Sequence, residues 1–309
     1  MEKQILRWLR EYLPGTPATL IGPGDDAALL DWNDSHQCLV ATDTIVEGLD
    51  FLTDTCSFPE IGRKALAINL SDLAAMGAIA VSATVSLVLP SAEAFAICRQ
   101  VIEGMQTLAQ EFDVSISGGD ITIWEGPLVA TVTVVGKPGS RGALTRDGAH
   151  VGDQLLVTGS LGGSILTHHH AFTPRLKEIA ILTSRYPINA AIDISDGLGL
   201  DLSRLAEASQ VAARIDPELI PISEAAHTLS QRLATGESAL DHALRDGEDF
   251  ELLLAVSPEV ADNLLHDQPI ACGIAHIGEC LSGEGLFTRL EDGSLQAFEP
   301  RGYVHGEKE

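Results

Sequence analysis

The spacing of apolar and polar positions changes period several times along this chain, and each change marks an element. A short helix is expected over residues 5–12 and a strand over 39–42. Over residues 62–76, Leu66, Leu70 and Leu73 recur at i, i+4 and i+7, and Gly77 follows as a stop signal, which predicts a helix. A β-branched apolar run at 81–89 predicts a strand, and the amphipathic stretch at 92–112 a long helix. Residues 114–117 read as a strand running into Gly118-Gly119, and 128–135 as another. The turn-rich stretch Lys137-Pro138-Gly139-Ser140-Arg141-Gly142 divides the chain into an N-terminal domain, 1–138, and a C-terminal domain, 139–309. In the second half, strands are expected at 154–157, 190–194 and 250–256, and helices at 174–184 and 198–208. Strands and helices mix in both halves without strict alternation, so the expected class is α+β.

Composition narrows the chemistry. The 309 residues suit two domains, and 45% apolar content is enough for a sizeable core. No apolar run is long enough to span a bilayer, so no membrane partner is expected. The opening Met1-Glu2-Lys3-Gln4 lacks the basic-then-apolar pattern of a signal peptide. Five cysteines, an odd number with no C-x-x-C pair, argue for a reducing compartment, and the expected location is cytoplasmic. A net charge of −25 repels phosphate backbones and sets nucleic acid aside as a partner.

Most of the 44 acidic residues serve solubility. A subset sits beside glycines or at strand ends: Asp25 and Asp26 in Gly24-Asp25-Asp26-Ala27-Ala28, Asp43 in Thr42-Asp43-Thr44, and Asp120 in Gly118-Gly119-Asp120. Asp193 and Asp196 lie in Asp193-Ile194-Ser195-Asp196-Gly197, and Glu248 in Gly247-Glu248-Asp249. One Gly-Asp pair is usually just a turn, but five such segments in one chain are harder to dismiss. Asp72 lies inside the 62–76 helix among apolar and small residues, one turn after Asn69. A surface acid on the polar stripe is one reading of it; a buried ligand fits better, since Ser71 and Asp72 interrupt an apolar run. Carboxylate clusters without Cys or His suit hard cations such as Mg²⁺, shared between the protein and substrate phosphates. Phosphoryl transfer needs mainly positioning and charge neutralisation, which metal ions on aspartates can supply.

Ser195 is placed to cap the helix that follows, whose N-terminus would favour an anion. Gly118-Gly119 could let backbone approach phosphates. Arg146 fits a phosphate clamp and a surface salt bridge equally well. There is no P-loop, no kinase Gly-rich loop with its H-R-D, and no G-x-S-x-G. The tract His168-His169-His170 reads as a loop, because consecutive histidines point in different directions.

Taken in order, these segments resemble the thiamine-monophosphate kinase family, part of an ATP-binding superfamily with aminoimidazole ribonucleotide synthetase, selenophosphate synthetase and the hydrogenase maturation dehydratase. The resemblance rests on the segments quoted above, the run from Lys64 to Ala78, Ala143-Leu144-Thr145-Arg146, and Gly247-Glu248-Asp249-Phe250-Glu251-Leu252. It implies transfer of the ATP γ-phosphate onto thiamine monophosphate to give thiamine diphosphate. It further implies that Asp26, Thr42, Asp43, Asp72, Asp120, Asp193 and Asp196 hold Mg²⁺, with Asp43, Asp72 and Asp120 central to catalysis. Gly119, Asp120, Arg146 and Ser195 would hold ATP, and Glu248 and Tyr303 would face the thiamine moiety. Asp50, in Asp50-Phe51, stands where the family commonly has the His of a His-Phe pair that contacts substrate; Gly302-Tyr303 replaces the family's usual His-Phe ending. The implied fold is a homodimer whose N-terminal mixed sheets join into a barrel, with a C-terminal α+β domain beside each. A related kinase or synthetase with another acceptor and a non-catalytic nucleotide- or cation-binding protein are the other readings; the intact Asp26, Asp43, Asp72 and Asp120 speak against the last.

Overall fold

A computed structural model describes residues 8, 17–22, 24–33, 36–167, 169–232, 236–290 and 292–304. The helix expected over 5–12 lies outside them except for Trp8, as does His168. The first half contains β1 (Thr19–Ile21), β2 (Ala28–Asn33), β3 (His36–Val46), α1 (Phe58–Ala75), β4 (Ala78–Pro90), α2 (Ala94–Glu111), β5 (Ser115–Trp124) and β6 (Val129–Pro138). Its strands form one mixed sheet in the order β1-β2-β3-β6-β4-β5, antiparallel except for the β4–β5 pair. Among the described residues the sheet is open, with β1 and β5 at its edges, and no barrel closes.

Helix α1 starts where the Glu60 carboxylate accepts from both the N–H and the hydroxyl of Ser57, at 2.8 and 2.7 Å. It ends at Gly77, whose φ of +61° is a left-handed stop. Apolar on nearly every side, it is buried between the sheet, α2 and the second half of the chain. It meets α2 through glycines: a Cβ on Gly62 would fall 1.9 Å from the Val101 carbonyl oxygen, and one on Gly104 1.9 Å from that of Pro59.

The second half contains β7 (Gln154–Thr158), α3 (Ser164–Thr167), α4 (Leu176–Arg185), β8 (Ala190–Ile194), α5 (Leu198–Ser209), β9 (Ala212–Ile215), α6 (Glu224–Arg232), α7 (Ala239–Arg245), β10 (Glu251–Val256), α8 (Pro258–Asp267), β11 (Ile274–Leu281), β12 (Leu286–Arg289) and β13 (Leu295–Phe298). Its sheet runs β13-β12-β9-β11-β7-β10-β8. One apolar cluster joins the two halves, packing Leu66 and Leu73 of α1 with Ala191 of β8 and Leu254 of β10. The α+β expectation therefore holds. Among the described residues, no helix is long and apolar enough to cross a membrane.

Two strand expectations fell short. The strand expected at 39–42 continues to Val46, because Asp43 keeps the core-facing parity of Leu39, Ala41 and Ile45. The strand expected to stop at Gly118-Gly119 runs through both to Trp124. Gly119 sits there because β4 comes close: a Cβ would lie 1.7 Å from the Val85 carbonyl oxygen. The glycine pair is thus part of a ladder and not a turn.

Candidate active site

The acids that the sequence scatters converge where the two halves meet. Asp26 comes from the loop between β1 and β2, Asp72 from the last turn of α1, and Asp193 from the fully buried strand β8. One carboxylate oxygen from each lies within 4.8 Å of the others. Asp43 joins them from β3, sharing a hydrogen bond with the Asp72 carboxyl. Ser71 donates to Asp193 Oδ2 at 2.6 Å, and Asn69 accepts from the Asp43 N–H at 3.0 Å, so α1 supplies both an acid and its framing groups. Ser71 and Asn69 were missed as site residues by sequence reasoning; the polar break in the apolar run was the available signal.

Burial and charge crowding act together in this region. Two carboxylates about 5 Å apart repel by roughly 3 kcal/mol at an effective dielectric of about 20. Burial pushes the carboxyl of Asp72 well above the usual carboxylate range, reinforced by Asp43, Asp193 and Asp26. Asp193 is raised likewise, by burial and then by Asp26, and Asp43 by burial against the pull of its bond to Asp72. Asp25 rises to about 6 through burial and its neighbour Asp26. The cation opposing Asp72 and Asp193 is Arg146. It opens a 3-10 turn packed against β8, and its Nε and Nη2 both donate to Asp26, at 3.0 and 2.5 Å. Its own N–H donates to Asp25 Oδ2 at 3.1 Å. Arg146 is therefore not a surface salt bridge but a largely buried partner of Asp26.

A second group of residues forms beside the first. Glu248 and Phe250 hold left-handed backbone angles, φ 65° and 50°, unusual for residues with side chains. Three anchors impose them: the Glu248 N–H donates to the Ser195 carbonyl at 2.7 Å, that of Phe250 to Ile194 at 2.8 Å, and Asp249 accepts from the Gly162 N–H. Such strain persists where the surroundings over-determine it, commonly at ligand sites. The buried Lys64 donates to Glu248 Oε1 at 2.5 Å, and His169 Nδ1 lies 3.2 Å from Glu248 Oε2. The C-terminal segment passes next to them, with the Tyr303 N–H donating to the Asp196 carbonyl at 2.9 Å.

Other candidates take different places. Ser195 is not the cap of α5: Gly197, at φ +104°, holds that position, and the Asp196 N–H is satisfied by Asp201 Oδ2 at 2.9 Å. The Asp196 carboxylate is held at 2.6 Å by Arg204 Nη1, which also binds Asp201. The Thr42 hydroxyl points away from Asp43 to the open face of the sheet, bonding the Val132 carbonyl and Thr133. Asp50 Oδ2 accepts from the Val46 N–H at 2.7 Å, which fastens the turn after β3. Gly119 and Asp120 stand on exposed β5; register places Asp120 across from Ser86, Thr131 and then Thr44, three strands from β3. A cavity of about 450 Å³ lined by Arg175, Asp249, Glu251 and Cys272 shares no residue with the acid group, and its Arg175 is already paired with Glu251. The convergent donors, not that cavity, form the candidate site.

Known proteins with the same organisation are informative at this point. The family described as AIR synthase related protein, N-terminal domain, matches residues 24–137, and its C-terminal domain matches 139–290. A thiamine-monophosphate kinase of Rhodopirellula baltica is 40% identical over 314 residues, spanning 99% of this chain and 98% of its own. One from Escherichia coli strain K12 is 34% identical, over 92% of this chain and 91% of its own. The solved structure of AaThiL complexed with AMPPCP and TMP superposes with a TM-score of 0.81 at 27% identity, covering 98% of this chain and 95% of that one. The E. coli hydrogenase maturation protein HypE, at TM-score 0.72 and 20% identity over 98% of this chain and 99% of that one, shares the fold.

Proposed function

Because this chain belongs to the AIR synthase related family, and within it to the thiamine-monophosphate kinases, we infer that it transfers the γ-phosphate of ATP to thiamine monophosphate, releasing thiamine diphosphate and ADP. The observation that carries this reading is the meeting of Asp26, Asp72 and Asp193 in a chain that aligns end to end with relatives named for that reaction.

The donor set fits magnesium. It consists of hard carboxylate oxygens without Cys or His, and the raised proton affinity of Asp72 and Asp193, from burial and neighbouring carboxylates, marks a place where positive charge would be favoured. Asp26, Asp43, Asp72 and Asp193 would hold the metal, with Asp196 beside them once Arg204 yields it. Bound Mg²⁺ would neutralise charge on the phosphates during transfer. The chain's own groups do the rest. Arg146, already at the edge of the acid group, is within reach to grip a phosphate bidentately. Glu248 and Tyr303 border the acceptor side, where Glu248 offers a carboxylate to a cationic ring. The attacking oxygen belongs to a phosphate ionised near neutral pH, so no strong general base is needed. In one in-line step the bond from the ATP β,γ-bridging oxygen to the γ-phosphorus breaks as that phosphorus bonds the acceptor phosphate.

The same reading pairs two chains. Strand β5 leaves its outer edge unpaired, and Ile121, Ile123 and Trp124 are about half exposed along it, as are Ile79 and Val81 on β4. A long apolar edge of this kind seeks a partner strand. Three strand spacings of about 4.8 Å separate Asp120 from β3, so Gly119 and Asp120 serve the acid group of a second copy, not their own. A barrel across the dimer would close the open sheets. A cytoplasmic location agrees with five free cysteines and with ATP as co-substrate.

Purified protein incubated with ATP, Mg²⁺ and thiamine monophosphate should form thiamine diphosphate, read by oxidation to fluorescent thiochrome diphosphate and chromatography. ATP binding with no phosphoryl transfer to this acceptor would overturn the assignment.

A further inference from the structure

Lys64 is among the largest fully buried side chains of the described chain, 1% exposed, and it carries an ammonium group. A lysine at such a depth is costly without partners, and an apolar side chain of its size would serve packing as well. Its two partners are acceptor-side residues from opposite halves of the chain. Nζ donates to Glu248 Oε1 and, at 2.9 Å, to the Asp50 carbonyl. The other oxygen of Glu248 faces His169 Nδ1. The carboxylate is thus bonded by Lys64 on one side and approached by His169 on the other, yet Glu248 remains about one-third exposed. Burial alone would raise its pKa; the bonds to His169 and Lys64 overcome that and lower it. The strained φ of Glu248 fixes the backbone beneath the same side chain.

We propose that Lys64, assisted by His169, is a positioning residue that holds the Glu248 carboxylate to receive the cationic thiazolium ring of the acceptor, setting acceptor affinity without contributing to ATP binding. This rests on the thiamine-monophosphate kinase reading. A charge held at a fixed point recognises a cationic ring at less entropic cost than one on a free side chain.

Steady-state kinetics of Lys64→Met, Lys64→Arg, His169→Gln, Glu248→Gln and the double variant Lys64→Met/Glu248→Gln, each with thiamine monophosphate and ATP varied separately, test it. Lys64→Met should raise KM for thiamine monophosphate by about tenfold, the scale of a lost charge-assisted bond, with KM for ATP within about twofold. Lys64→Arg should recover most of that loss, and Lys64→Met should add little on top of Glu248→Gln. Should Lys64→Met fail to fold, His169→Gln gives the same split from the other side of the carboxylate. Equal rises in both KM values, full additivity in the double variant, or an unchanged acceptor KM in folded Lys64→Met or His169→Gln would overturn the proposal. Absence of thiamine diphosphate with the unaltered protein is a separate result, which overturns the functional reading itself and this inference with it.

Discussion

Arg146 grips Asp26 with two nitrogens at once, Nε on Oδ2 and Nη2 on Oδ1. The residue that fits a phosphate clamp is therefore bound to a residue that fits a metal ligand. The guanidinium acts as an internal counter-ion for the acid group. A metal held by Asp26 would compete with Arg146 for that carboxylate, and a guanidinium so displaced would be within reach of the phosphates. Metal and nucleotide should consequently bind with positive coupling.

Arg146→Gln removes the counter-ion. Mn²⁺, used as a probe of the metal site, should bind the nucleotide-free variant about fivefold more tightly, since a bidentate ion pair worth about 1 kcal/mol no longer competes. Affinity for a non-hydrolysable ATP analogue should fall by about tenfold or more, the scale of a lost charged hydrogen bond. Paramagnetic resonance of free Mn²⁺ reads the first and calorimetry the second. Unchanged or weaker Mn²⁺ binding would show that Arg146 does not occupy the metal's place.

Asp72→Asn separates chemistry from stability. The amide keeps the shape but loses the charge that Asp43, Asp193 and Asp26 oppose. Turnover should fall by about a thousandfold or more, as for removal of a central charge-stabilising group. Stability should be unchanged or higher by about 1 kcal/mol, because a buried like-charge contact has been relieved. Thermal unfolding and turnover on one preparation decide it; near-normal turnover would remove Asp72 from the site.

Much of this centre was legible from residue order alone, and the limits have physical causes. The helix around Asp72 was readable because its apolar positions recur at helical spacing and Gly77 stops it. That Asp72 is a partly buried acid turned toward Asp43 and Asp193 was signalled by the two polar residues interrupting that face. Lys64, one turn before Ile68 and Asn69, gave no comparable signal, since a lysine on a helix is usually a solvated one. Strand β9 went unread because Arg214 interrupts it; only the fold supplies Asp216 and Glu279 to pair that charge. Gly118-Gly119 suggested a turn because close approach of β4 cannot be seen in one strand's sequence. Nor does spacing alone reveal that Asp50 spends a carboxylate oxygen on the Val46 N–H.

Gly62→Ala and Gly104→Ala test the contact between α1 and α2. Each added methyl would sit 1.9 Å from a backbone carbonyl oxygen of the facing segment, too close for a side-chain adjustment to relieve. Each should destabilise the fold by about 3 kcal/mol, at the upper end for overpacking, despite alanine's better helix propensity. Chemical denaturation gives the value. A stabilised Gly62→Ala would mean that the helices are not packed this closely.

His170 should give the folded protein an acid sensitivity that one substitution removes. Its Nε2 lies 2.6 Å from the Cys56 sulfur, and burial, then His169 and Lys64, lower its pKa from the ordinary 6.5 to about 4 against the opposing pull of Glu248 and Glu60. The folded state therefore keeps His170 neutral while the unfolded chain takes up a proton as pH falls through about 6.5. Stability from this group is fully present above that pH, declines between about 6.5 and 4, and changes no further below. The slope can reach at most one proton, since one group titrates. His170→Asn abolishes the difference in proton uptake but leaves Glu60, Glu248, Lys64 and His169 in place. The gap in unfolding free energy between the unaltered protein and the variant should be constant above pH 7 and shift steadily in the variant's favour toward pH 4.5, read from denaturant midpoints. Parallel profiles across that range would mean that His170 titrates alike in the folded and unfolded chain.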